Sequence, residues 1–122
     1  MDKYNLGIVG GITVTELFSG SEGNVSGSFS GTLTLNDDIS NYKFLVFDLM
    51  TDFNNSMRCF SRIISCPHYL ERIGNSSIKW SFFLCMGYSS SNDYFNITSI
   101  STLKTINFTG SNSKCVRILG IN

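Results

Sequence analysis

Six side chains in two polar stretches are of types that could hold a ligand: Tyr69 and Arg72, then Tyr88, Asn92, Asp93 and Tyr94. A tyrosine ring stacks on a pyranose face while short Asn and Asp groups bond the hydroxyls around it. That pairing makes a sugar-binding surface, and the expected loops Pro67–Asn75 and Gly87–Tyr94 carry it here. Catalysis has less to work with. His68 is the sole histidine, two residues from Cys66 across Pro67. On an extended segment the two side chains would share a face, a geometry that could activate a thiolate. Nothing else marks a nucleophile, and a loop histidine packed beside Tyr69 is the plainer reading. Glycoside hydrolysis needs two acids across a cleft, whereas Asp37, Asp38, Asp52, Glu71 and Asp93 fall in turn-like stretches where acids are ordinarily solvated. Asp48 is the exception, embedded between Leu45 and Leu49. It needs a cation such as Arg58 or Arg62, an edge position or a subunit interface. These residues point to binding and not to an enzyme.

No cofactor is expected. The four cysteines, Cys59, Cys66, Cys85 and Cys115, include no pair at zinc-ligand spacing. No loop has the acidic spacing of a calcium site, and Gly7–Gly11 precedes no helix, so it is not a phosphate loop. Met1–Gly11 has no continuous apolar core, so no signal peptide is expected, and reduced thiols are favoured over disulfides. The sequons at Asn24, Asn54, Asn75, Asn96 and Asn107 are what chance supplies in so Asn- and Ser-rich a chain.

At 122 residues the chain is the size of one domain, and its 42% hydrophobic content suffices for a core. Only 15% of residues are charged and the two signs cancel. Such a surface has no long-range field to gather phosphate backbones or anionic lipid. Nucleic acid and membrane insertion are therefore not expected. Ser, Thr, Asn and Gly must make up the surface, which suits a protein whose faces are covered by neighbours.

The elements that would position the candidate residues are β-strands. Short apolar runs recur about every ten residues between Gly, Ser and Asn clusters, and no helical period is sustained. Strands are expected at Ile12–Phe18, Val25–Leu35, Tyr42–Met50, Met57–Ser65, Ile78–Met86, Tyr94–Ile100, Leu103–Phe108 and Lys114–Ile121. In Val25–Leu35 the odd positions Val25, Gly27, Phe29, Gly31, Leu33 and Leu35 alternate with polar residues, as a strand with one wet face requires. Tyr42–Met50 is apolar on both faces and reads as a central strand. Phe29, Phe44, Phe47, Trp80, Phe82 and Phe83 are expected in the core. Loops are expected at Ser19–Asn24 and Gly110–Ser113, and one short helical turn within Cys66–Gly74. The pattern predicts one all-β domain over residues 12–122, an antiparallel β-sandwich of jelly-roll-like topology, after a flexible lead-in at 1–11.

Three stretches resemble the C-terminal receptor-binding head or tip domains of bacteriophage tail fibres and related prophage tail proteins. Glu16-Leu17-Phe18-Ser19-Gly20-Ser21 is similar to the family's opening Leu-Trp-Ser-Gly segment, with Phe18 where Trp is frequent. Gly31–Leu35 followed by Ile39–Phe47 resembles its Thr-Leu…Ser…Tyr…Leu-x-Val strand pair, and Val116–Ile121 its closing Ile-x-Gly-Ile strand. The stretch Met57–Ile100 matches no motif of that family. The resemblance implies a homotrimer in the virion tail, joined to the rest of the fibre and assembled in the host cytoplasm. It would recognise a bacterial surface polysaccharide or protein. The rival expectation is a purely structural virion or tail component with no ligand of its own.

Overall fold

A computed structural model of the chain describes residues 5–53, 56–65, 80–83 and 93–122. Among these residues the strands are β1 (Asn5–Val9), β2 (Ile12–Thr34), β3 (Phe44–Phe53), β4 (Ser56–Ser65), β5 (Trp80–Phe83), β6 (Tyr94–Thr102) and β7 (Thr105–Ile121). Every pairing is antiparallel, so the chain is all-β as the alternation predicts. The strands make one sheet with the order β1-β2-β7-β3-β4, and β6 and β5 branch from β7. No described helix is long and apolar enough to cross a membrane. Asn5–Val9 lies in the expected lead-in, yet it forms β1 and pairs with the start of β2 around Gly10 and Gly11.

Two of the expected loops are strand. Ser19–Asn24 lies inside β2, and Gly110–Ser113 lies inside β7, because the two segments face each other in one long ladder. Their Gly, Ser and Asn content marks bulges and not turns. The ladder slips between Glu16 and Phe18, Ser19 and Glu22, and Asn24 and Ser28. Across from the last slip, Asn112 adopts φ 53°, a left-handed conformation that asparagine tolerates. Asn24 Oδ1 accepts from Ser26 N–H at 2.9 Å and from Ser26 Oγ at 3.0 Å, which holds the bulged segment.

These irregularities bend the ladder. A straight strand of 23 residues would run about 75 Å. Instead, Asn36, just past the end of β2, donates its N–H to Leu17 O at 2.8 Å and its Nδ2 to Glu16 O at 3.1 Å. The sheet therefore has two wings sharing β2 and β7. One holds β1, Ile12–Asn24, Ser113–Ile121, β3 and β4, and the other holds Ser28–Thr34, Thr105–Ser111, β6 and β5. Gly23 sits at the bend with φ 135°, where a Cβ would lie 2.4 Å from Ser113 O. Only glycine fits there.

Alternation then sorts the side chains. Leu45, Phe47, Leu49, Cys115 and Ile118 from the first wing join Leu33, Phe95, Ile97, Ile106 and Phe108 from the second in one buried cluster. Phe95 stacks on Phe108 at 5.1 Å, and Phe29 tilts against both. Fully burying an aliphatic or aromatic side chain contributes roughly 1.5–3 kcal/mol, so this cluster is the main stabilising element. Val25–Leu35 keeps its even positions outward and exposed, as expected. β3 is indeed interior to the sheet, between β7 and β4, but Phe44 is 44% exposed and not in the core. Even positions of β3 point away from the cluster, and Phe44 is one of them.

A 3₁₀ turn at Ile39–Asn41 leads into Tyr42, whose ring lies on Gly120 of β7. A Cβ at Gly120 would come 2.5 Å from that ring. Tyr42 OH donates to Asp37 Oδ2 at 2.8 Å, and Asp37 Oδ1 accepts from Asp38 N–H and Asn41 Nδ2. Partial burial raises the Asp37 pKa, but these three hydrogen bonds and nearby Lys104 outweigh it and hold the carboxyl below its ordinary 3.8. We expect Gly120→Ala to lower stability by about 1–3 kcal/mol in denaturant titration, since the ring must move off the strand. Because folding lowers the Asp37 pKa, its contribution is complete at neutral pH. It should fade as pH falls through the folded value, and thermal melts of Tyr42→Phe should lose less stability on acidification than wild type.

Candidate functional site

Of the six sequence-predicted ligand residues, the structure places two. Tyr69, Arg72, Tyr88 and Asn92 lie outside the described residues, as do Cys66, His68, Cys85 and the expected helical turn within Cys66–Gly74. Asp93 is only 5% exposed, which corrects the expectation of a solvated loop acid. Its Oδ2 lies 3.1 Å from Thr51 Oγ1, and that hydroxyl also lies 2.7 Å from Asn112 O. Asp93 thus helps fix the bend of β7 against the end of β3. Tyr94 opens β6, is half-buried, and pairs with Phe83 and Ser111. Its carbonyl accepts from Ser113 Oγ at 2.7 Å. The two residues therefore form a rigid anchor at the edge of the 84–92 segment.

Asp48 also resolves. Strand register puts Arg58 and Arg62 opposite Thr51 and Phe47, on the other face of the sheet from Asp48. Asp48 Oδ1 instead accepts from Ser61 Oγ at 2.7 Å, and the cation across from it is Arg117. Arg117 in turn lies 3.7 Å from Glu16 Oε1. Arg62 stands 5.3 Å over the Phe60 ring.

The sequence reading missed an exposed apolar face. On the first wing, the outward positions form two rows across four strands: Val14–Ile121–Phe44–Ser65 and Glu16–Leu119–Val46–Ile63. Ile12 extends the first row's edge and is 48% exposed, while Ile63 is 68% exposed. A groove of about 500 Å³ runs over this face, lined by Ile12, Phe44, Val46, Ile63 and Ile121, with Lys43 and Asn122 at one end. Its signal in the sequence was the two-sided apolar character of Tyr42–Met50. One side of that strand fills the core and the other is open.

The described thiols are free and differ sharply. Cys59 is exposed on β4, whereas Cys115 is buried in the core. Burial pushes the Cys115 thiol up to about 12; Arg117 O accepts from it at 3.8 Å, and Asp48 and Glu22 add to the rise. Among the described residues, no group of three or more His, Cys, Asp or Glu side chains could hold a metal ion. No protein-family profile matches the chain, and no curated protein matches it in sequence.

A thiol with so high a pKa and no access does not react at neutral pH. In a chain carrying Cys66→Ser and Cys85→Ser, we expect a colorimetric thiol reagent to titrate Cys59 at once. Cys115 should react only after denaturant is added. Rapid labelling of both in the native protein would contradict the buried placement of Cys115.

Proposed function

We propose that this chain is the receptor-binding domain of a bacteriophage tail fibre or tail tip, an adhesin and not an enzyme. Its ligand would be a bacterial cell-surface glycan or protein, and its working form a homotrimer attached to the rest of the tail in the virion. The bent sheet would be the jelly-roll-like sandwich of such a head. One observation carries the reading. The three stretches that resemble tail-fibre heads, Glu16–Ser21, Gly31–Phe47 and Val116–Ile121, fall on or beside β2, β3 and β7, the mutually paired frame. Two matched residues, Tyr42 and Gly120, touch within that frame. The candidate ligand residues fall in 66–94, off the frame, as expected where a scaffold is held constant and its recognition segments vary.

Affinity in this reading comes from aromatic stacking by Tyr69, Tyr88 and Tyr94, with Arg72 and Asn92 bonding hydroxyls. Asp93 holds the segment and does not touch the ligand. The exposed apolar face favours a second reading, a structural tail component that contacts only other subunits. A bacterial glycan array, together with binding to whole cells, separates the two. The adhesin reading expects retention on a defined set of surface sugars or cells, at least tenfold weakened by Tyr88→Ala or Tyr94→Ala, the loss of about one good contact. A chain that binds no glycan and no cell surface would be the structural component. Light scattering after size exclusion is expected to give three times the 13.6 kDa chain mass.

A further inference from the structure

We infer that the apolar outer face of β2, β7, β3 and β4 is the surface through which copies of this chain meet. The inference deepens the tail-tip reading, on which it rests for the number of copies. The face has the anatomy of an interface core. Val14, Phe44, Val46, Ile63, Leu119 and Ile121 occupy adjacent register positions, and the charges, Glu16 beside Leu119 included, stand around their rim. From strand spacing and rise, its area is on the order of 400 Å². A patch of roughly 300–600 Å² is the largest a typical monomer leaves open, and it is often functional.

The charges say what covers it. At one end Arg117 and Asp48 pair across β7 and β3, and Glu16, on β2 at the level of Leu119, lies 3.7 Å from Arg117. At the other end Lys43 lines the groove. The four sum to zero, so the face has no field to draw in a strongly charged partner. It does suit copies of itself, since Arg117 of one chain can meet an acid of another while apolar rows meet apolar rows. The whole chain is also neutral, so copies approach without long-range repulsion. At about half the roughly 800 Å² per partner of a standard interface, the contact makes assembly depend on concentration, so the threefold mass is expected at the upper end of a concentration series.

The test is sedimentation of the full chain over a concentration series, with Ile63→Glu and Arg117→Glu beside wild type. Ile63 is the most exposed of these side chains, so its replacement leaves the core intact. Far-UV circular dichroism and thermal melts establish that each variant folds. Wild type is expected to assemble, and Ile63→Glu to weaken assembly by roughly tenfold or more, because a charge would be desolvated unpaired. Arg117→Glu makes that end of the face uniformly negative and is expected to weaken assembly comparably, with partial recovery in high salt. A wild-type monomer throughout the series would overturn the inference, and so would a folded Ile63→Glu chain that assembles like wild type. Glycan binding by such a monomer would leave the adhesin reading standing. Assembly lost in folded Ile63→Glu, without any glycan or cell binding by wild type, would support the interface and remove the adhesin reading.

Discussion

The fold depends on one constraint: β2 and β7 remain paired along almost their whole length while both bend. β7 is the hub, since it also pairs with β3 through its second half and with β6 through its first. A two-stranded ladder can bend only where it gives up hydrogen bonds. The largest loss lies between Asn24 and Ser28 on one strand and at Asn112 on the other, beside smaller slips at Glu16–Phe18 and Ser19–Glu22. Buried backbone groups released there need new partners. Thr51 supplies one to Asn112 O, and beside the bend Ser113 bonds Tyr94 O at the start of β6. Both hydroxyl residues are fully buried, an expensive place for a polar side chain unless it is bonded. Their polarity is thus explained by the bend and not by a ligand.

Bending also decides which side chains meet. Leu17 and Asn36 are nearly twenty residues apart on one continuous run, yet they share a hydrogen bond. Had the ladder stayed straight, the aromatic group Phe29, Phe95 and Phe108 would lie far from Phe47 and Leu49, and neither set could form a core alone. The concave side is filled by this arrangement. On the convex side of the first wing, alternation requires side chains to point outward, and there the sequence places Phe44, Val46, Ile63, Leu119 and Ile121 where a solvated sheet would carry polar groups. The second wing differs, with Thr32, Thr98 and Asn107 linked by hydrogen bonds on or beside its ladder. The contrast between the wings, and not total hydrophobicity, marks the first wing's outer face as unusual.

Much of the fold was legible because short apolar runs between polar clusters mark strands: Val25–Leu35 is strand as far as Thr34, and Met57–Ser65 and Tyr94–Ile100 are strand throughout. What failed was punctuation. Ser19–Asn24 and Gly110–Ser113 have turn composition, but a partner strand lay opposite each, and pairing overrode the local preference. A glycine at a bulge and a glycine in a turn look alike in one dimension. Asp93 misled for a similar reason, since adjoining Asn and Ser residues suggest solvent while the polar partner, Thr51, is 42 residues away. Of the candidate site, sequence reasoning identified residue types and no geometry. Asp93 proved to be an anchor, Tyr94 the first residue of a strand, and the apolar face went unread because two-sided hydrophobicity was assigned to burial.

A few contacts close the frame that β2, β3 and β7 build. The bend, the Tyr42–Gly120 contact and the Asn36–Leu17 closure are made by residues within 16–42 and 112–120. β3 adds to β7 on one side, and β6 adds to it on the other. β5 is four residues long and pairs with β6 alone among the described strands. Among the described residues, the largest buried side chains include Phe47 of β3, Phe95 of β6, Leu17 of β2 and Ile118 of β7. The buried contact of Asp93 with Thr51 ties the residue just before β6 to the end of β3. Because both wings share β2 and β7, any change at their bend alters the contacts that the two wings make.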